Sequence, residues 1–254
     1  MPHAINEGVR IFYEVEGEGP QLVLLHGFGG STESWRETGY VDSLSKDFHL
    51  IMVDARGHGA SDKPTDPEEY RVRSMASDIV AVLDDLSIDK AHFLGYSMGG
   101  WIGFGILRFF SNRFHSVIIG GAQPYDQGPW KEGWLEIFKG GMDAAMKAAS
   151  EYFGKRLTPS MRKQLMANDL DALMAMLSKR EQLGLENALA TTTVPVMVFI
   201  GKDDAWYSSA QKCVEGMANC RFVALANLNH VETLYRPDLV APHIAEHVKS
   251  TEQK

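Results

Sequence analysis

The chain has 254 residues, 44% of them hydrophobic and 23% charged, a size and balance that suit one large α/β domain or one domain with an insertion. Its formal net charge of −8, with no basic stripe to offset it, argues against nucleic acid or an anionic membrane as partner. No apolar run approaches the length of a membrane span. The N-terminal Met1-Pro2-His3-Ala4-Ile5-Asn6-Glu7 has neither a basic n-region nor an apolar h-region, and a cytoplasmic location is expected, with Cys213 and Cys220 reduced.

In chain order, Val9-Arg10-Ile11-Phe12-Tyr13-Glu14-Val15 roughly alternates apolar and polar residues after the turn signal Asn6-Glu7-Gly8, which predicts an edge hairpin. Leu22-Val23-Leu24-Leu25 is a continuous apolar run, the mark of a strand covered on both faces, and it enters the glycine loop His26-Gly27-Phe28-Gly29-Gly30. Leu50-Ile51-Met52-Val53 is a second buried strand, running into Asp54-Ala55-Arg56-Gly57-His58-Gly59-Ala60-Ser61. Ser74 is the expected N-cap of a helix whose apolar stripe is Met75, Ile79, Val82, Leu83 and Leu86.

The stretch on which the rest turns is Gly95-Tyr96-Ser97-Met98-Gly99-Gly100. It lies between the apolar run Ala91-His92-Phe93-Leu94 and the mostly apolar helix expected from Trp101 onward. A serine between strand and helix sits on a turn so tight that the residues two positions away must lack side chains. The helix after it aims its free N–H groups toward the hydroxyl. A strand at Val117-Ile118-Ile119 follows, and strands alternating with helices imply a parallel sheet with right-handed crossovers.

That rhythm stops over residues 122–194, which read as a helical lid inserted into a core made of residues 1–121 and 195–254. Trp130 and Trp134 stand one turn apart, and Thr158-Pro159 marks a helix start. Six of the chain's twelve methionines, Met142, Met146, Met161, Met166, Met174 and Met176, fall here; they suit irregular helix packing or a pliable apolar wall for a ligand. Trp130, Trp134, Phe138 and Phe153 could belong to the lid's own core or to a pocket wall, and Tyr207 is a further pocket candidate. Strand signals resume at Pro195-Val196-Met197-Val198-Phe199-Ile200. A helix over about 208–217, a last strand Phe222-Val223-Ala224-Leu225 and an amphipathic helix from Pro237 close the chain.

A serine hydroxyl needs a base to take its proton, and the imidazole that serves needs a carboxylate to fix its tautomer. Of nine histidines, His3, His49, His115, His243 and His247 fall where surface histidines are ordinary. His92 lies in a buried strand and is expected to be structural, and His26 and His58 brace glycine loops. His230 alone follows the last strand, at the edge where an open α/β sheet builds its site. The loop after the preceding strand offers Asp203 and Asp204 as the carboxylate, giving the order Ser97, Asp, His230.

These motifs, with Gly201-Lys202-Asp203-Asp204 and Asn229-His230, resemble the α/β-hydrolase fold superfamily over nearly the whole chain, in its serine-nucleophile, esterase-like branch. The resemblance implies a mostly parallel central sheet flanked by helices, with an inserted lid. It implies Asp204 as the acid, because the acid usually closes a Gly-x-x-Asp pattern. It also implies an oxyanion hole made by the backbone N–H groups of Phe28 and Met98. Ser97 excludes the aspartate-nucleophile relatives, the haloalkane dehalogenases and epoxide hydrolases. Perhydrolases, enol-lactonases and carbon–carbon bond hydrolases share the serine. A menaquinone-pathway lyase is also similar, but it typically carries an arginine where this chain has Trp101, which speaks against a polyanionic substrate.

The expectation is therefore a serine hydrolase of small to medium apolar carboxylic esters, acting through an acyl-enzyme. No metal-ligand cluster or phosphate-cradling loop appears in the sequence, so neither a cofactor nor a metal is expected. The reading from another class is a ligand receptor that does not turn over.

Overall fold

Continuous apolar runs make strands that must be covered on both faces, and this chain builds its sheet from them. The structure is a computed structural model that describes residues 2–125, 128–179, 184 and 186–252. Among the described residues one eight-stranded sheet forms from β1 (His3–Asn6), β2 (Val9–Glu16), β3 (Gln21–Leu25), β4 (His49–Val53), β5 (Ala91–Tyr96), β6 (Phe114–Gly120), β7 (Val196–Gly201) and β8 (Cys220–Leu225). The spatial order is β1-β2-β4-β3-β5-β6-β7-β8. β1 and β2 form the antiparallel hairpin at one edge, β2 runs antiparallel to β4, and every pairing from β4 to β8 is parallel.

Helices cover both faces. Before β6 lie α1 (Glu33–Glu37), α2 (Tyr40–Leu44), α3 (Val72–Asp85) and α4 (Met98–Phe109). Between β6 and β7 lie α5 (Gly128–Lys139), α6 (Gly141–Phe153), α7 (Pro159–Met166), α8 (Leu170–Lys179) and α9 (Glu186–Thr191). After β7 come α10 (Tyr207–Glu215), α11 (His230–Leu234) and α12 (Pro237–Glu252). Alternate strand residues feed two cores. Val23, Leu25, Ile51, Val53 and Phe93 pack with α3, α4 and α10, whereas Leu22, Leu24, Leu50, Met52 and Leu94 pack with α1, α2 and α12. The period of two therefore partitions each apolar run between the layers.

The helices between β6 and β7 gather a small core of their own around Phe138, Ala145, Leu173 and Leu177, against which Phe28, Trp130 and Trp134 pack. Thr158 caps α7 by accepting from the Met161 N–H at 3.1 Å, with Pro159 at the first helical position.

Two local expectations need correction. Ser74 is not an N-cap: α3 starts at Val72, after a 3-10 turn over Pro67–Tyr70 that Asp66 caps. The helix begins where Tyr70 and Val72 first anchor in the core, leaving Ser74 inside the first turn with its carbonyl bonded by Asn6 and Ser77. His247 is not a surface histidine but is 5% exposed. It follows Ile244 by three residues, so it shares the stripe that α12 lays on the sheet, and burial pushes its imidazole down to about 4.

Candidate active site

Ser97 occupies a single residue between β5 and α4 with φ 55° and ψ −110°, a conformation that L-residues rarely adopt. The glycines around it are steric necessities. A Cβ on Gly95 would lie 2.2 Å from the Gly99 carbonyl oxygen, and one on Gly99 would lie 2.1 Å from that of Leu25. The turn is tied down by Ser97 N–H to the Gly120 carbonyl at 2.8 Å and Gly99 N–H to the His26 carbonyl at 3.1 Å.

The imidazole comes from the far end of the chain. His230 is the first residue of α11, and Asn229 and Glu232 close a reciprocal capping box around that helix start. Its Nε2 lies 3.0 Å from Ser97 Oγ and its Nδ1 lies 2.7 Å from Asp204 Oδ2. The tautomer that satisfies both partners has Nδ1–H donating to the carboxylate and Nε2 accepting from the hydroxyl. Asp204 is buried, and its other oxygen accepts from the Trp206 N–H at 2.9 Å. Asp203 is exposed; its N–H donates to the Leu228 carbonyl at 3.0 Å. Tyr96, the residue before Ser97, donates its hydroxyl to the His230 carbonyl at 2.5 Å, and Trp206 stands edge-on to the imidazole at 5.1 Å.

Two backbone donors flank Ser97. The Met98 N–H is the first of the N–H groups that a helix leaves without an internal partner. The Phe28 N–H sits in the turn Gly27–Gly30, closed by Gly30 N–H to the Gly27 carbonyl at 3.1 Å, with Gly29 at φ +73° in its third position. Gly27 passes so close that a Cβ there would lie 3.3 Å from Ser97 Cβ. His26 and His58 lie beneath this turn with ring centres 5.2 Å apart. His26 Nε2 accepts from the Ala55 N–H at 3.1 Å, and burial pushes the His58 imidazole down to about 3.

Above Ser97 opens a cavity of about 110 Å³. Of the five pocket candidates, Trp130, Trp134, Phe138 and Phe153 line it. Tyr207 does not: it opens α10, whose inward turn carries its ring onto Phe222 at 5.9 Å, and the preceding Trp206 is the aromatic that faces the imidazole. Of the six methionines, Met142 and Met146 reach the cavity wall, Met176 is buried in the main core and Met166 is exposed. Asn168 and Tyr152 also line the cavity; neither carries a local sequence signal, because both reach it through helix packing far from the strands. Among the described residues no group of three or more histidine, cysteine, aspartate or glutamate side chains could hold a metal ion.

Residues 20–204 match the family described as alpha/beta hydrolase fold. The chain is 33% identical over 124 residues to a Bacillus subtilis (strain 168) protein provisionally named 2-succinyl-6-hydroxy-2,4-cyclohexadiene-1-carboxylate synthase; the alignment spans 47% of this chain and only 43% of that protein. It is 23% identical over 253 residues to the 3-oxoadipate enol-lactonase 2 of Acinetobacter baylyi (strain ATCC 33305 / BD413 / ADP1), covering 95% of this chain and 92% of that one. Among solved structures, the enol-lactonase from Burkholderia xenovorans LB400 superposes with a TM-score of 0.86 at 23% identity, covering 98% of this chain and 100% of that one. The parallel sheet, the order of its strands and the matched sequence agree: the chain belongs to the alpha/beta hydrolase fold family.

Proposed function

We propose that the protein is a serine hydrolase of small to medium, uncharged carboxylic esters. The observation that carries this reading is the continuous relay from Ser97 Oγ through His230 to Asp204, placed at the floor of an apolar cavity. The ester carbonyl rests against the Phe28 and Met98 N–H groups. As Ser97 Oγ bonds to the carbonyl carbon, its proton passes to His230 Nε2, and the carbonyl oxygen becomes an oxyanion held by the two amides. Asp204 stabilises the imidazolium. His230 then returns the proton to the leaving alcohol oxygen, the C–O bond breaks, and an acyl-enzyme remains; water repeats the sequence and frees the acid.

The helices over residues 122–194 act as a lid in this reading, closing an apolar roof over the nucleophile through Trp130, Trp134 and Phe138. The lining favours an uncharged substrate, because among the described residues that line the cavity only His230 has a basic side chain. Trp101, which stands where similar lyases carry arginine, is 2% exposed and packs in the main core, so it offers nothing to a substrate carboxylate. A lactone that carries a carboxylate is therefore a poorer fit than a plain ester.

The test is hydrolysis of p-nitrophenyl acyl esters by the wild-type chain and by Ser97→Ala. Wild-type protein releases p-nitrophenol with a burst if deacylation is slow, and Ser97→Ala loses about 10³-fold or more in kcat. A Ser97→Ala variant that keeps a tenth of the activity removes this mechanism.

A further inference from the structure

The turn that carries the Phe28 N–H is glycine on three of its four positions, the composition with the most backbone freedom to lose on folding. Something must hold it. The core side supplies His26, whose Nδ1 lies 2.7 Å from the Gly27 carbonyl. The other side is held by the inserted helices, at three points. The Phe28 ring packs among Trp130, Trp134 and Phe138 of α5, with centroids 5.9, 6.2 and 5.9 Å away. The Gly29 carbonyl accepts from Asn168 Nδ2 at 3.0 Å, a bond that joins residues 139 positions apart. Gln164 on α7 presents Oε1 to the hydroxyls of Ser31 and Ser34 at 3.1 and 3.4 Å, and Ser34 Oγ in turn accepts from the Ser31 N–H at 3.1 Å.

Asn168 is 8% exposed, so its bond to Gly29 is shielded from competing water. Its amide also donates to the Gln164 backbone carbonyl at 3.2 Å, which ties Asn168 to the last turn of α7, the helix that carries Gln164. The glycine turn lies close against α7: a Cβ at Gly29 would lie 3.1 Å from Leu165 Cδ2. The lid side thus meets the turn as a fitted surface with two hydrogen-bonding anchors.

We propose that Asn168 and Gln164 are positioning residues that hold the Phe28 N–H in oxyanion-binding geometry, so the inserted helices shape the transition-state site as well as the substrate roof. This rests on the serine-hydrolase reading. Its signature follows from where an oxyanion donor acts. A displaced donor weakens the tetrahedral, negatively charged state and leaves binding of a planar ground-state ligand nearly untouched.

The experiment compares wild type with Asn168→Ala, Gln164→Leu and Gln164→Glu on p-nitrophenyl butyrate. It adds inhibition by butylboronic acid, which forms a tetrahedral adduct on Ser97 Oγ, and by butyramide as a planar, uncharged ligand. Gln164 is half-buried on a helix surface, so its variants are expected to fold, and thermal unfolding checks this. Asn168→Ala and Gln164→Leu should each lower kcat and boronate affinity together by about tenfold or more, while the butyramide inhibition constant stays within about twofold. Gln164→Glu keeps an acceptor for Ser31 and Ser34 and should retain kcat within about threefold, whereas Gln164→Leu keeps most of the volume without an acceptor, so its loss is one that a role in filling volume does not produce. The proposal is overturned if the folded Gln164→Leu variant keeps wild-type kcat, or if boronate and butyramide affinities fall in parallel. Wild-type protein that hydrolyses no ester defeats the underlying reading as well; active wild type with indifferent clamp variants defeats the clamp alone.

Discussion

Asp203 and Asp204 are neighbours in the chain and opposites in space. One is exposed at the loop surface, the other is buried with its carboxylate oxygens taken by His230 Nδ1 and the Trp206 N–H. Residues Gly201–Asp204 form a turn, closed by the Asp204 N–H to the Gly201 carbonyl at 3.2 Å, which sends the two side chains apart so that Asp204 faces the imidazole. Asp204→Asn should lower kcat by up to about 10⁴-fold, because the amide presents an N–H where His230 must donate and so favours the wrong tautomer. Asp203→Asn removes only a solvated charge and should leave kcat within about twofold. Steady-state kinetics of the two variants check this, and a crippled Asp203→Asn beside an active Asp204→Asn reverses the roles.

At the scale of elements, α5 matters more than its surface position suggests. Trp130 and Trp134, one turn apart, both line the cavity and both touch the Phe28 ring, so each is wall and buttress at once. Truncating either to alanine enlarges the cavity where an acyl chain would lie. Trp130→Ala or Trp134→Ala should move the preferred p-nitrophenyl ester toward a longer acyl chain by at least two carbons for one of them, on the order of one buried methylene contact per 0.8 kcal/mol. A kcat/KM profile over acyl lengths reads the shift; two folded variants with the wild-type profile place the acyl chain elsewhere.

The whole molecule keeps several histidines neutral in its interior. Burial pushes His58 down to about 3 and His92 and His247 to about 4; His26 beside His58 and His115 beside His92 add repulsion, as Arg221 does for His247. The unfolded chain binds these protons near pH 6.5, whereas the folded chain resists them down to its lower values. The stability that these groups contribute is therefore complete above about pH 6.5 and is lost as pH falls toward 4. Urea midpoints should be level near pH 7 to 8 and fall steadily below about pH 6.5. His92→Gln, which can keep the 2.8 Å bond to Ser116 Oγ, should reduce the slope of unfolding free energy by up to about 1.4 kcal/mol per pH unit, and an unchanged slope counts against His92 as a contributor.

Local sterics and periodicity were legible without the structure. The apolar runs at Leu22–Leu25 and Leu50–Val53 announced strands covered on both faces, because burial of both side-chain rows leaves no polar position to alternate. Gly95 and Gly99 announced the turn at Ser97, because only glycine fits where a Cβ would strike a carbonyl about 2 Å away. The order of Ser97, an aspartate and His230 nominated groups that the sheet edge does bring within hydrogen-bond reach. The geometry that only tertiary packing decided depends on the angular phase of one element against another. The turn into α10 sends Tyr207 to Phe222 and Trp206 to His230; the pitch of α12 on the sheet buries His247; the end of α7 brings Asn168 to a carbonyl 139 residues away. A chain pattern records which residues share a face, but where that face lands is set by ridges packing into grooves between segments far apart in sequence.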